Sequence, residues 1–247
     1  MRIGIVSDIH ANLAAFETVI AALRQAGAAD RLWCIGDMVG YGPHPNECLD
    51  LLRDFDHVCV PGNHDYGLLG KTPISNFNND ARFALDWTAT VLRPDLHAYL
   101  DGLDQPWLPD NGQFTIVHAS PRDPIWEYLL NTGDARECFP LFATPYCLVG
   151  HTHIPVVFRE TEPGGPVKLA QPEAGEAVRL GESRLICNPG SVGQPRDSNP
   201  QAAYAILDQE ERTLTFHRID YPIAVTQAAM RALNFPKRLI SRLDFGY

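Results

Sequence analysis

Short apolar runs separated by polar segments are the clearest pattern in this chain, and each run predicts a buried β-strand. Up to residue 150 these runs span residues 3–6, 32–35, 58–60, 114–117 and 147–149. Between the first two runs, apolar residues recur every three or four positions, which is the period of an amphipathic helix, so we predict a helix over residues 12–26. A second helix is predicted over residues 45–53, because proline is common in the first turn of a helix. The resulting order β-α-β-α-β predicts a parallel sheet with crossover helices.

Residues 67–110 interrupt this alternation. Residues 78–92 predict a helix, one face of which carries Ala81, Ala84, Leu85, Thr88 and Leu92. A second helix is predicted after Pro94, because proline is common in the first turn of a helix. We interpret this helical insertion as a packed helical pair, and the alternative is a partial lid across a site.

Beyond residue 153 the pattern becomes that of β-structure. Strand-like runs span residues 156–159, 185–188, 203–207 and 213–218. Residues 160–183 are rich in Gly, Pro and Glu and predict a long hairpin loop, and two terminal helices are predicted over 225–233 and 236–243. We therefore predict an α/β fold in which residues 1–247 form a single domain, with two sheets packed face to face and helices outside.

Composition narrows the class of protein. The chain has 247 residues, of which 45% are hydrophobic, enough for a sizeable core, and its formal net charge is -10. This acidic balance argues against nucleic acid as a partner, whereas a few cations at one site suffice for a small anionic substrate. We also expect no membrane partner. The sequence is also compatible with a homo-oligomer.

The cysteines and the first residues bear on location. The six cysteines form no CxxC pair, and several lie within apolar runs. We therefore expect buried free thiols, as in a reducing compartment. The chain begins with a strand pattern rather than that of a leader peptide, and no apolar run approaches the ~20 residues that span a bilayer. The expected location is the cytoplasm.

Residues able to bind metals follow each of the first five apolar runs. The motifs are Asp8-Ile9-His10, Gly36-Asp37, Gly62-Asn63-His64-Asp65, His118 and Gly150-His151-Thr152-His153. Side chains at the carboxyl ends of neighbouring strands converge on one sheet edge, so carboxylate, imidazole and amide oxygen would gather there. Such a mixed N/O site suits two divalent metals. Each motif alone also occurs as an ordinary turn or helix cap, but five of the nine histidines lie in these motifs.

The motifs also indicate individual roles. Asp8 and His10 are two residues apart, so in a strand extension they would point the same way and reach one metal. Asp37 is the candidate bridge, because one carboxylate can bind two cations. His64 is the candidate proton donor to a leaving group, and Asp65 is the candidate residue that fixes its tautomer.

The order DxH, GD, GNHD, a lone His and GHTH resembles the calcineurin-like metallophosphoesterase superfamily over residues 1–208. The stretches that begin at Gly36, His118 and Asn188 look like a prokaryotic branch of it, with the patterns GDxVGYGP, HxSPRDPxWEY and NPGSVGQPR. The resemblance implies a four-layer α-β-β-α sandwich of two mixed β-sheets flanked by helices. It also implies a dinuclear metal site at the edge of the sheets.

The resemblance further implies which residues hold each metal. One metal would be bound by Asp8, His10, Asp37 and His153. The second would be bound by Asp37, Asn63, His118 and His151. A hydroxide bridging the metals would attack phosphorus, with His64 as general acid or electrostatic stabiliser. Nitrogen and oxygen ligands without cysteine fit Mn, Fe, Zn, Ni or Co.

One departure from the family pattern concerns the cation near the phosphate. Many members continue the GD motif to an Asp-Arg-Gly, whereas this chain has Val39-Gly40-Tyr41-Gly42. Arg122 and Arg196 are candidate substitutes, and the alternative for each is a surface salt bridge. Trp126 and Tyr128 are either core residues or a stacking platform for a nucleobase.

Together these features predict a metal-dependent phosphoesterase for small phosphoesters. Phosphodiesters, including nucleotide-derived ones, are preferred over phosphomonoesters. The alternatives are a non-catalytic scaffold or binding module on the same fold, and a nuclease. Scaffold relatives tend to lose metal ligands or the catalytic histidine, whereas this chain retains all of them. The acidic charge and the lack of basic runs argue against a nuclease.

Overall fold

Two six-stranded sheets form the β-structure of the computed structural model, which describes residues 1–103, 108–110 (main chain), 112–181 and 183–247. In spatial order the first sheet contains β3 (Asp56–Cys59), β2 (Arg31–Cys34), β1 (Arg2–Val6), β11 (Ala202–Asp208), β12 (Thr213–Ile219) and β9 (Ala177–Arg179). β1, β2 and β3 run parallel, as the β-α-β-α-β pattern predicts. The other three strands each lie antiparallel to the preceding one, so the sheet is mixed.

The second sheet is also mixed. Its spatial order is β4 (Leu108–Asp110), β5 (Phe114–Ile116), β6 (Tyr146–Leu148), β10 (Arg184–Asn188), β7 (Val156–Glu160) and β8 (Val167–Ala170). β5, β6 and β10 are parallel, and the remaining pairings are antiparallel. The predicted α/β fold of two mixed sheets is confirmed.

Helices cover the outer faces of both sheets. The first sheet carries α1 (Leu13–Gln25), α2 (Pro45–Arg53), α5 (Pro94–Asp101) and α7 (Ile223–Ala232). The second carries α6 (Thr132–Cys138), and the other helical segments are α3 (Asn63–Leu68), α4 (Asn79–Val91), α8 (Lys237–Ser241) and the 3₁₀ turns Ile74–Asn76, Phe139–Leu141 and Arg242–Asp244. Within the described ranges, no helix is both long enough and apolar enough to cross a membrane.

Alternation along β1 separates two apolar layers. Ile3 and Ile5 point between the sheets, where each buried side chain contributes about 1.5–3 kcal/mol. Their neighbours in this layer include Trp33, Phe114, Leu148, Leu185 and Phe216. Gly4 lies on the opposite face of the strand, where an added Cβ would be 2.7 Å from the Leu23 side chain of α1. The close packing of α1 on the sheet therefore requires glycine at this position.

A separate apolar cluster joins α4 to the C-terminal helices. Its buried members are Tyr41, Phe77, Ala81, Ala84, Leu85, Met230, Phe235, Leu239, Ile240 and Leu243. The predicted helix over residues 78–92 is confirmed as α4, with Asn78 as its N-cap. α4 packs on α3 and the C-terminal helices, and α5 packs on α2. That α4 and α5 form a packed pair stays a prediction. The role of residues 67–110 as a partial lid stays a prediction, and residues 104–107 of that segment lie outside the described ranges.

The prediction of a hairpin loop over residues 160–183 is wrong for two short segments, which form β8 (Val167–Ala170) and β9 (Ala177–Arg179). β8 and β9 lie within it, and they extend different sheets by pairing with β7 and β12. β8 is mostly exposed, so it lacks the apolar pattern from which a strand is predicted. Residue 182 of this segment lies outside the described ranges. α6 was also not predicted.

Candidate metal centre

Several of the predicted metal ligands have left-handed main-chain conformations. Positive φ angles between +47° and +64° occur at Asp8, His10, Asp37, His151 and His153. Non-glycine residues enter this region at a cost of roughly 1–3 kcal/mol each, and such residues cluster at functional sites. β1 ends at Val6, so Asp8 and His10 lie in a turn and the expected strand extension is wrong.

Main-chain hydrogen bonds between loops hold these turns. The N–H of Asp8 donates to the carbonyl oxygen of Gly36 over 3.0 Å, which ties the loop after β1 to the loop after β2. The N–H of Gly150 donates to the carbonyl oxygen of His118 over 2.7 Å, which ties the loop after β6 to the loop after β5. The loops at this sheet edge therefore support one another, and this offsets the cost of the left-handed residues.

A first group of buried side chains could hold one metal. Its ligand atoms lie within 4.8 Å of one another and belong to Asp8, His10, Asp37 and His153. Nε2 of His153 is 3.2 Å from Oδ1 of Asp8, and Nε2 of His10 is 3.6 Å from Oδ2 of Asp37. The Nε2 atoms of His10 and His153 are 3.1 Å apart.

A second group shares Asp37 with the first. Its ligand atoms belong to Asp37, His118 and His151 and also lie within 4.8 Å of one another. Nε2 of His118 is 3.5 Å from Oδ2 of Asp37 and 3.2 Å from Oδ1 of Asn63. All seven residues predicted as metal ligands therefore lie at one edge of the sheets.

Carbonyl oxygens fix the tautomer of each histidine in the two groups. Nδ1 of His10, His118 and His153 must carry the proton, because each lies next to a carbonyl oxygen that can only accept. Those oxygens belong to Val39 (3.0 Å), Ile35 (2.8 Å) and Gln194 (2.5 Å), in that order. His151 instead donates from Nε2 to the carbonyl oxygen of Trp126 over 3.2 Å, which leaves the lone pair on Nδ1. Such bonds orient metal-ligating histidines.

Two observations show that a cation fits among these residues. Oδ1 of Asp8 is buried and has no hydrogen-bond partner among the described residues. With their Nδ1 atoms protonated, His10 and His153 direct two Nε2 lone pairs at each other over 3.1 Å, an unfavourable contact unless a cation lies beside them. Burial lowers the pKa of both histidines, which keeps them in the neutral form that binds metals.

The second group has a different electrostatic balance. Burial lowers the pKa of His151 to about 3. Burial also acts to lower the pKa of His118, but the charge and hydrogen bond of Asp37 and the charge of Asp8 outweigh it and raise that pKa to about 9. The carboxylates therefore attract positive charge to this position, which a divalent ion would supply in place of the proton.

Asp65 does not have the role predicted for it. Its carboxylate accepts hydrogen bonds from four main-chain N–H groups, those of Asp37 (2.9 Å), Gly62 (2.8 Å), Met38 (3.1 Å) and Val39 (3.3 Å). Nδ1 of His64 has no partner among the described residues. The prediction that Asp65 fixes the tautomer of His64 is therefore wrong. Asp65 instead ties the loop after β2 to the loop after β3.

His64 is enclosed by aromatic rings beside the first group. Its ring centroid lies 4.4 Å from that of Tyr41, 4.8 Å from that of His10 and 5.1 Å from that of Phe77. Gly40 has a φ of +83°, and a Cβ there would lie 2.3 Å from Nδ1 of His64. Burial lowers the pKa of His64 to about 4, so its free side chain is neutral near pH 7.

The two candidate arginines lie in different surroundings. Arg122 pairs with the carboxylates of Glu127, Asp134 and Glu137, so its prediction as a substrate residue is wrong. Arg196 lines the same cavity as Asp37 and His64. Its Nε is buried without a partner among the described residues, and its Nη atoms lie 3.4 Å from the hydroxyls of Tyr41 and Tyr128. Arg196 is therefore the candidate phosphate-binding cation.

The cavity at this centre is small and has an aromatic rim. Its volume is about 60 Å³, and its lining also includes Asn63, Asn78, Phe77, Trp126 and His153. Tyr128 is 47% exposed and stacks on His151, with 4.2 Å between the ring centroids. Trp126 instead packs against the apolar cluster that joins α4 to the C-terminal helices. Tyr41 was missed as a site residue, although an aromatic residue between two glycines, four positions after Asp37, was a usable signal.

Known proteins are similar to this chain in both sequence and fold. The chain matches the calcineurin-like phosphoesterase superfamily domain over residues 1–212. A solved metallophosphoesterase from Sphaerobacter thermophilus is 46% identical, with a TM-score of 0.89 over 100% of this chain and 99% of that one. An uncharacterised protein of Methanocaldococcus jannaschii is 35% identical over 257 residues, covering 99% of this chain and 98% of the relative.

A more distant relative has a named activity. The symmetrical bis(5'-nucleosyl)-tetraphosphatase of Thioalkalivibrio sulfidiphilus is 38% identical over 144 residues. That alignment covers 56% of this chain and 50% of the relative, so it spans about half of each protein.

Proposed function

The chain belongs to the calcineurin-like phosphoesterase superfamily, and we propose that it is a dinuclear metal-dependent phosphodiesterase for small, nucleotide-derived phosphodiesters. Family membership makes it a phosphoesterase of a metal-dependent family, and its buried Asp and His groups are able to bind metals. We further propose two metals per chain, a preference for diesters over monoesters, and specific roles for individual residues.

Asp37 carries the proposal of two metals. Its Oδ2 lies 3.6 Å from Nε2 of His10 in the first group and 3.5 Å from Nε2 of His118 in the second. One carboxylate in this position can bind two cations at once. We assign the first metal to Asp8, His10, Asp37 and His153. We assign the second to Asp37, Asn63, His118 and His151.

The remaining residues act on the substrate. Two divalent ions bound there would supply an activated water and offset charge on the phosphoryl oxygens. Arg196 donates to a non-bridging phosphoryl oxygen, because it is the guanidinium that lines the cavity. His64 lies beside the first group and donates a proton or a hydrogen bond to the leaving-group oxygen. The N–H of His64 donates to Oδ1 of Asp37 over 2.8 Å, which keeps the proposed bridge in place.

Two observations support the preference for diesters. A diester carries one negative charge on its phosphate and a monoester up to two, whereas the described residues that line the cavity include a single guanidinium, that of Arg196. The tetraphosphatase relative is named for a substrate in which every phosphorus has two ester or anhydride bonds. Both observations favour a substrate whose reacting phosphorus carries two ester or anhydride bonds.

An activity screen on metal-stripped protein tests this function. Protein treated with a chelator and resupplied with Mn²⁺ should hydrolyse bis-p-nitrophenyl phosphate and a dinucleoside tetraphosphate faster than p-nitrophenyl phosphate. Asp37→Ala is the control for contaminating enzymes. A faster rate on the monoester would contradict the diester preference. Metal binding without turnover of any of the three substrates would favour the scaffold alternative.

Two further features of the protein complete the proposal. Its six cysteines are free and buried, which supports a cytoplasmic location, where thiols stay reduced. We also propose that residues 1–247 form a single domain, because the apolar clusters connect elements from both ends of the chain.

A further inference from the structure

A second cavity lies beside the metal centre, and two guanidinium groups line it. Its volume is about 360 Å³, against about 60 Å³ for the cavity at the metal centre. Its lining residues are Asn78, Asn79, Asp80, Arg238 and Arg242. Asn78 also lines the metal-centre cavity, so the two cavities adjoin. We call the second cavity the α4–α8 pocket.

The polar groups of the α4–α8 pocket are mostly hydrogen-bond donors. Oδ1 of Asn78 accepts from the N–H of Ala81 over 2.9 Å, and Oδ1 of Asn79 accepts from Arg82, so both amides keep their NH₂ groups as donors. Arg242 uses Nε for the main-chain oxygen of Tyr247. No hydrogen bond among the described residues involves its Nη atoms. Two amides and two guanidinium groups therefore offer donors to an anion.

The charge balance of the pocket is also positive. Asp80 is the carboxylate of the lining, and its Oδ2 is 4.0 Å from Nε of Arg238, too far for a hydrogen bond. Among the described residues that line the pocket, two guanidinium groups therefore face one carboxylate, in a protein whose formal net charge is -10. Arginine forks suit the oxygens of phosphates.

Tyr41 connects this positive charge to the metal centre. Cζ of Arg196 lies 5.8 Å from the centroid of the Tyr41 ring, and Cζ of Arg242 lies 5.9 Å from it. Arg196 lines the metal-centre cavity, and Arg242 lines the α4–α8 pocket. The two guanidinium groups, one from each cavity, therefore both lie next to the Tyr41 ring.

We propose that the α4–α8 pocket binds a second phosphate of the substrate, joined to the reacting phosphate through anhydride bonds. This inference rests on the proposed function and narrows its substrate to nucleotides with a polyphosphate chain, such as dinucleoside polyphosphates. Water adds its oxygen to the reacting phosphorus, the P–O bond to the leaving phosphate breaks, and that leaving oxygen takes the proton. Arg238 and Arg242 determine specificity by contacting non-bridging oxygens beyond the reacting phosphate.

Kinetics on two substrates test the pocket. The variants are Arg238→Ala, Arg242→Ala and Arg242→Lys, with Lys237→Ala as a control that removes an exposed charge from the same helix. We expect the alanine variants to raise KM for P1,P4-di(adenosine-5′) tetraphosphate at least 10-fold more than KM for bis-p-nitrophenyl phosphate. Arg242→Lys should recover part of the loss, and Lys237→Ala should affect neither substrate. An equal loss on both substrates, or no loss, would overturn the proposal.

A binding measurement separates failure of the pocket from failure of the proposed function. Inorganic tripolyphosphate should bind the metal-free wild-type protein in a calorimetric titration, and Arg238→Ala should weaken that binding at least 5-fold. The side chain of Arg238 is 83% exposed, so its removal should leave the fold intact. If the wild-type protein hydrolyses neither substrate but binds tripolyphosphate through Arg238, the proposed function fails and the pocket stands. Unchanged binding in Arg238→Ala would overturn the pocket.

Discussion

The main-chain N–H of Asp37 donates a hydrogen bond to Oδ2 of Asp65 over 2.9 Å. The same oxygen accepts from the N–H of Gly62 over 2.8 Å. Asp65 thus joins the loop that carries the proposed bridging carboxylate to the loop that carries Asn63 and His64. Its carboxylate is fully buried and touches main-chain donors rather than the proposed ligands, so we infer that it positions the site.

Asp65→Asn should therefore destabilise the protein and weaken metal binding. The amide replaces one acceptor oxygen with an NH₂ group that faces a main-chain N–H, and each buried N–H left unsatisfied costs about 1–3 kcal/mol. Thermal melts and metal analysis after dialysis against Mn²⁺ would measure both effects. Asp101→Asn is the control, because Asp101 pairs with Lys71 at the surface. Wild-type melting and metal content in Asp65→Asn would show that Asp65 does not position the loops.

Asp37→Ala should abolish activity and reduce the occupancy of both metals. Oδ2 of Asp37 lies between the two groups of candidate ligands, so both would lose a carboxylate. Asp8→Ala is the matched variant, since Asp8 is a candidate ligand in the first group and not in the second, so its loss should mainly weaken one metal. Metal content by mass spectrometry, together with turnover, distinguishes the two variants. Two bound metals and normal turnover in Asp37→Ala would mean that Asp37 is not the bridge.

Arg196→Ala should lower kcat/KM for phosphodiesters by about 10- to 150-fold. The range corresponds to loss of a charged hydrogen bond worth about 1.5–3 kcal/mol. Arg122→Ala is the control, because the Arg122 guanidinium is paired with three carboxylates away from the cavity lining. Steady-state kinetics with bis-p-nitrophenyl phosphate would measure the difference. Equal losses of kcat/KM in both variants would show that Arg196 does not bind the phosphate.

The strands and the candidate ligands could be predicted from the sequence because the signals coincide. Each of the first five apolar runs is followed within three residues by a candidate metal ligand, so the end of a strand and the start of the site are marked together. β8 could not be predicted in this way, because it lies at a sheet edge and three of its four residues are exposed. Edge strands of this kind carry little apolar pattern.

The surroundings of the arginines could not be predicted either. Arg122 and Arg196 each directly follow a proline, and nothing in the neighbouring sequence indicates which of them reaches the site. Arg122 is neutralised by Glu127, Asp134 and Glu137, of which two come from α6, a helix that was not predicted. Arg196 reaches the site because the loop between β10 and β11 folds back on the loop after β1, which is a tertiary contact.

Gly40→Ala should lower kcat while leaving the metals bound. Its Cβ would lie 2.3 Å from Nδ1 of His64, so the imidazole must move. Gly70→Ala is the matched control, since Gly70 also has a positive φ, +68°, but no atom within 4 Å of the added Cβ. The control therefore isolates main-chain strain from the contact with His64. If both variants lose the same activity, strain explains the loss and the contact does not.

His64→Ala should keep metal content near normal and lower kcat, because His64 is not needed to complete either group of ligands. A general acid contributes roughly 10²–10⁴-fold to the rate. The loss should be largest for alkyl or nucleoside leaving groups and smaller for p-nitrophenol, which needs little protonation. Burial lowers the pKa of His64 to about 4 in the free protein, so proton donation near pH 7 requires the bound phosphate to raise that pKa. A pH–rate profile of kcat should then show an acidic group that His64→Ala removes.

An equal loss of kcat for all leaving groups would instead make His64 a neutral hydrogen-bond donor to the phosphoryl oxygens. Loss of metal would mean that His64 is itself a ligand.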